Sequence, residues 1–203
     1  MSDSLVRESS YERSCDFTRK YVLSAIGQVV VAGPLRGVNM TEILPIAITI
    51  LRCRGRYLFI RRAKPPYEDL WSLVGGKIQP GEHVAKAAVR EVLEETGAAH
   101  VGQYEYRGVV SERLLDANGN LVRHFLIFVG AAEIDDYTDR NREGSLELFT
   151  VERMERERES FLPSDWHMFQ SFRDEASWCG LYEAELIHDG ERYVLSYYRV
   201  AGE

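Results

Sequence analysis

The sequence is poor in several features, and each shortage argues against a class of protein. Its 203 residues hold only three cysteines, Cys15, Cys53 and Cys179, an odd number with no C-x-x-C pair. A disulfide framework is therefore not expected, and free thiols are. No pair among His83, His100, His124, His167 and His188 has zinc-ligand spacing, so a zinc hydrolase is not supported. Eighteen apolar residues never run together, and no membrane span is expected. Positive charge is in deficit, with a net charge of -7, which argues against a stable nucleic-acid partner. A polyanionic ligand would have to be captured by local charge. Asp3, Glu8, Glu12 and Asp16 argue against an acid-poor transit peptide, and a cytoplasmic location is expected by default. Internal repeats and low-complexity segments are absent.

Against that background, residues 76–98 stand out. They read Gly76-Lys77-Ile78-Gln79-Pro80-Gly81-Glu82, seven further residues, and Arg90-Glu91-Val92-Leu93-Glu94-Glu95-Thr96-Gly97-Ala98. Helical spacing puts Glu91, Glu94 and Glu95 close together, where like charges cost the helix stability. A hard divalent cation with oxygen ligands, Mg2+ or Mn2+, would neutralise them. The helix is predicted over residues 83–96, with Ala85, Ala88, Val89, Val92 and Leu93 as its inner face opposite the glutamates.

The rest of the chain reads as follows. Residues 8–32 have a period nearer 3.6 than 2 and predict an N-terminal helical arm, although Val29-Val30-Val31 also fits a strand. Residues 44–51 and 57–62 read as strands, 71–74 as a short strand, and 103–114 and 121–134 as two long strands. A charged helix is predicted over 151–159, and another helix from Pro163 to near Cys179. Residues 181–200 read as a hairpin turned by Asp189-Gly190, packed on the core or at a homodimer interface. Three segments result: an extension over 1–40, a central domain over 41–160 and a C-terminal helix and hairpin over 161–203. Arg61, Arg62 and Lys77 flank the glycine turn, where they could reach phosphate oxygens, and each also reads as an ordinary solvated charge. His124 reads either as lining a substrate cleft or as a hydrogen-bonded structural histidine.

The spacing of Gly76, Glu82, Arg90-Glu91, Glu94-Glu95 and Gly97 resembles the Nudix box, the signature of the Nudix hydrolase family. Only Ala98 and Val74 depart from the pattern, where the family prefers a bulkier apolar residue and often a proline. The resemblance covers about residues 44–154. It implies an α+β fold, an α/β/α sandwich around a mixed sheet, and hydrolysis of a nucleoside diphosphate linked to another moiety. It assigns metal binding to Glu91, Glu94, Glu95, a Gly75 or Gly76 carbonyl and a supporting Glu82, with Mg2+ or Mn2+ as cofactor. Arg90 would orient a box glutamate, and Glu91 and the loop residue Glu143 are both candidates for the base. Leu58-Phe59-Ile60-Arg61-Arg62 with Gly75-Gly76-Lys77-Ile78 is similar to the branch acting on nucleoside triphosphates. A nucleoside tri- or diphosphate is the expected substrate, with ADP-ribose or another nucleotide sugar as the alternative. A non-catalytic nucleotide sensor is a third reading.

Overall fold

The computed structural model describes residues 42–138, 144–174 and 180–202, together with the backbone of 21–23 and 29–31. The chain divides into two compact units, Met1–Met40 and Thr41–Glu203. In the first unit, β1 (Tyr21–Leu23) and β2 (Val29–Val31) pair antiparallel. This corrects the helical reading at Tyr21–Leu23 and agrees with the strand alternative at Val29–Val31, where a run of β-branched valines favours extended backbone. The remainder of the expected arm lies outside the described residues.

In the second unit the strands β3 (Ile43–Cys53), β4 (Arg56–Arg62), β5 (Trp71–Ser72) and β6 (Val74–Lys77) precede helix α1 (Val84–Thr96). There follow β7 (Glu105–Asp116), β8 (Leu121–Ile134), β9 (Gly144–Phe149), α2 (Val151–Arg156), α3 (Pro163–Phe172), β10 (Leu181–His188) and β11 (Tyr193–Val200). All nine strands form one mixed sheet in the order β11-β10-β7-β8-β3-β4-β5, with β6 on β3 and β9 on β4. Among the described residues no helix is long and apolar enough to cross a membrane.

The period-2 pattern of β3 divides the core. Ile48 and Ile50 face an aromatic cluster with Phe59, Phe149, Phe161, Phe169 and Phe172, which includes residues of α3. Ala47 faces the other way, onto Ala87 and Ala88 of α1. β3 also changes neighbour along its length: residues 46–49 pair with β6, and 51–53 with β4. β4 therefore splays away, and the chain from β5 to β6 fills the wedge and carries the glycine turn to the N-terminal side of α1.

Three expectations need correction here. Helix α1 buries Ala87, Ala88, Val92, Glu95 and Thr96, while Ala85 and Leu93 are exposed. Small alanines let the helix approach Ala47 closely, and this rotation brings Glu91 and Glu95 toward the sheet instead of opposite it. Helix α3 ends at Phe172, short of Cys179, and the predicted 151–159 helix divides into α2 and a 3-10 turn at Arg158–Ser160. The C-terminal hairpin forms as expected and joins the main sheet. β10 runs parallel to β7 from Leu181 opposite Val109 to His188 opposite Asp116, extending the main sheet, with Ala184 and Leu186 buried.

Candidate active site

Two glycines let the backbone approach what surrounds it. Gly75 has φ +151, and a Cβ there would stand 2.2 Å from the Ala47 carbonyl oxygen. A Cβ on Gly76 would stand 2.6 Å from Cδ of Glu91, so the Glu91 carboxylate lies against bare backbone. The Gly75 N–H donates to Glu95 Oε2 at 3.0 Å, which ties the turn to the far end of α1. At that end Gly97, with φ 63, closes the helix by donating its N–H to the Leu93 carbonyl.

Arg90 gathers the other box carboxylates. Its Nε and one terminal nitrogen donate to the two oxygens of Glu82, both at 2.9 Å. The second terminal nitrogen donates to Glu91 Oε1 at 2.8 Å and to Glu94 Oε2 at 3.2 Å. A fifth bond runs to the Lys77 carbonyl at 3.1 Å, so the planar fork has a partner in every direction it can donate. Arg90, and then the Gln79 N–H, hold the Glu82 carboxyl down to about 2, and the Glu82 bonds push the Arg90 guanidinium up. Glu82 thus has both oxygens engaged in orienting Arg90.

The three remaining glutamates differ in setting. The Glu94 side chain is 60% exposed, that of Glu91 15%, and Glu95 is buried against the turn. Among the described residues no three His, Cys, Asp or Glu side chains already converge as a finished metal cluster. The donor set nevertheless fits a hard cation: it is all oxygen, and one positively charged nitrogen of Arg90 already sits between Glu91 and Glu94.

The other expected residues are spread out. Lys77 is exposed and contributes its carbonyl to Arg90. Arg61 lines a depression of about 540 Å³ with Asp69, Trp71 and residues 155–160, and donates to the Asp69 carbonyl at 3.3 Å. Arg62 donates to the Pro66 carbonyl at 3.0 Å. His124 meets the Ser111 hydroxyl at 3.0 Å in a pocket of about 330 Å³ that also includes Arg113, Tyr197 and Arg199. It lies opposite Ile43, whereas Gly76 and Phe128 flank Ala47, four residues along β3 and so about 13 Å away. The structure therefore brings Glu82, Arg90, Glu91, Glu94, Glu95 and Gly76 together, and leaves Arg61 and His124 apart from them. Glu143 lies outside the described residues.

A second acidic group escaped the sequence reading. Glu112 of β7 and Asp165 of α3 are buried on the α3 side of the sheet. The Tyr67 hydroxyl donates to Glu112 Oε1 at 3.2 Å, and the Leu73 N–H donates to Asp165 Oδ2 at 2.7 Å. Burial pushes both carboxyls up to about 7, against the opposing effect of these bonds. Ser164 lies beside Glu112 and pulls its pKa down, although its hydroxyl and Glu112 Oε2 do not close into a hydrogen bond of normal geometry. No local pattern signals the group, because its contacts span 45 and 92 residues of sequence.

The family model of the NUDIX domain matches residues 43–172, which include the whole glycine turn and α1. The chain belongs to the Nudix family. Within this Nudix chain, 63 residues are 40% identical to a Bacillus subtilis protein provisionally assigned as an 8-oxo-dGTP diphosphatase, covering 29% of this chain and 40% of that protein. The chain thus spans less than half of that relative's length. The CTP pyrophosphohydrolase of Escherichia coli is 32% identical over 95 residues, covering 41% of this chain and 70% of that enzyme. Among solved structures, a MutT mutator protein of Bacillus halodurans superposes with a TM-score of 0.58 at 22% identity, covering 79% of this chain and 99% of that one. That likeness shows the Nudix fold, and the β10–β11 hairpin lies beyond the stretch the family model matches.

Proposed function

We infer that this chain hydrolyses a phosphoric anhydride bond in a nucleoside diphosphate derivative, with a nucleoside tri- or diphosphate as substrate. The observation that carries the reading is the Arg90 fork, which holds Glu82, Glu91 and Glu94 around the glycine turn in one constellation. A purely structural salt-bridge network would have little use for Gly76, whose missing Cβ admits the Glu91 carboxylate. The names of two relatives, one a CTP pyrophosphohydrolase and one provisionally an 8-oxo-dGTP diphosphatase, support the nucleotide class.

The chemistry follows from the residues. Glu91, Glu94, Glu95 and the Gly76 carbonyl would hold a divalent cation, Mg2+ or Mn2+, which when bound stabilises charge on the phosphoryl oxygens as a Lewis acid. Arg90 fixes Glu91 and Glu94 in advance, so little reorganisation is left for the reaction. Glu95 anchors the Gly75 N–H and so sets where the Gly76 backbone lies. Glu91 and Glu143 compete as acceptors of the proton from the attacking water, and Glu91→Gln against Glu143→Gln separates them by which loses more kcat. A panel of nucleoside triphosphates, diphosphates and ADP-ribose, assayed with and without Mg2+, tests the whole reading. Turnover of a tri- or diphosphate that stops on chelation is the expected result. Tight binding of a nucleotide with no hydrolysis of any panel member would replace the hydrolase with a sensor.

A further inference from the structure

The segment from Trp71 to Gly76 is held from both faces of the sheet. On the α1 side, Glu95 accepts from the Gly75 N–H at 3.0 Å. On the α3 side, Phe161 forms an isolated parallel bridge with Trp71, Leu162 donates its N–H to the Trp71 carbonyl at 2.9 Å, and Asp165 accepts from the Leu73 N–H at 2.7 Å. Residues 161 and 162 therefore lie beside β5 like a further strand, and the Asp165 carboxylate, in the first turn of α3, continues the contact onto Leu73, the residue between β5 and β6. Two buried carboxylates from helices on opposite faces thus grip N–H groups two residues apart, immediately before Gly76.

We propose that Asp165 is a positioning residue for the active site: by holding the Leu73 N–H it fixes, with Glu95, the path of the turn that presents the Gly76 backbone to Glu91. The proposal rests on the hydrolase reading for its kinetic consequence, but its geometric part stands without it. The two side-chain bonds add to the β3 pairing that already sets Gly75 opposite Ile48 and Gly76 opposite Ala47. Gly75 and Gly76 adjoin each other with no side chains to pack, so the backbone there has more freedom than other residues would allow. A rigid anchor on only one face would leave the strand able to tilt about it. An unmade bond at Leu73 would also leave a buried donor without a partner, a cost the backbone relieves by moving.

The test compares substitutions that keep and remove the acceptor. Asp165→Asn retains an oxygen at the same reach, Asp165→Leu removes it, and Asp165→Ser is too short to replace it while being milder to the fold. Amide hydrogen exchange is measured on the metal-free chain, and kcat and KM are measured on whichever nucleotide the wild type hydrolyses. In Asp165→Leu, and in Asp165→Ser if the former does not fold, Leu73 and Gly75 are expected to exchange about tenfold faster, as losing one buried hydrogen bond implies. The same variants lose about tenfold in kcat with KM little changed, and Asp165→Asn restores both slow exchange and kcat to within about threefold. Faster exchange at Leu73 alone, with Gly75 and kcat unchanged, would overturn the proposal. So would a rise in KM at constant kcat, which would make Asp165 a substrate contact. A wild type that hydrolyses nothing defeats the hydrolase reading, while the exchange result still decides the geometric coupling.

Discussion

Carboxylates stand on both sides of the glycine-bearing strand, in different electrical settings. On the α1 side Glu82 shares Arg90, and its carboxyl is held down to about 2. On the α3 side Glu112 and Asp165 are buried with neutral donors as partners, Tyr67 and the Leu73 N–H, and both are pushed up to about 7. Arg62 also pulls Asp165 down, ranking behind the burial and the Leu73 bond. The same functional group thus serves two ends: near the surface, paired with a guanidinium, it stays ionised and can hold cationic charge. In the aromatic core it is nearly balanced between its two forms and serves as a hydrogen-bond partner.

Removing the guanidinium from the first set should have a large effect. Arg90→Ala leaves Glu82, Glu91 and Glu94 without their common partner, and kcat should fall by about a hundredfold to a thousandfold. Arg90→Lys should recover little of it, since one ammonium cannot reproduce the fork. A loss under tenfold would show that the constellation does not depend on its centre.

The second set should reveal itself through stability against pH. A carboxyl raised from 4.5 to about 7 favours folding below pH 4.5, and that contribution is lost as pH rises through 7. At pH 8 an ionised Glu112 should therefore weigh against the fold by on the order of 3 kcal/mol. Urea unfolding of Glu112→Gln should show a gain approaching that amount at pH 8 and almost none at pH 4.5. A gain independent of pH would mean that Glu112 does not titrate in the folded state as its burial requires. Smaller still is Tyr67→Phe, which removes the donor to Glu112 Oε1 and should cost about 1 kcal/mol in the same measurement at pH 7.

These differences also explain what could be read in advance. The box lies within 22 residues, from Gly76 to Gly97, so its spacing alone points to the group of Glu82, Glu91 and Glu94 that Arg90 bonds in the structure. Its orientation does not follow from the spacing, because counting Ala85 and Leu93 as inward facing ignores how closely Ala87 and Ala88 let α1 approach Ala47. The C-terminal hairpin was visible from Asp189-Gly190, which supplies its turn. Its parallel pairing with β7 was not, since that contact joins residues more than 70 positions apart and has no local signature. Asp165 and Glu112 were invisible for the same reason: what makes them distinctive is burial and partners far away in sequence. In the N-terminal unit, the valine run fits the strand it forms, whereas Tyr21–Leu23 pairs with it from a stretch whose apolar spacing is nearer 3.6.

The central claim is that the carboxylates held by Arg90 perform hydrolysis, and Glu94→Gln tests it most directly. Glu94 is largely exposed and makes one of five Arg90 bonds, so its amide should leave the thermal midpoint close to that of the wild type. With fold and nucleotide binding intact, Mg2+-dependent kcat should fall by about a thousandfold or more. A variant retaining kcat within tenfold of the wild type would contradict the account.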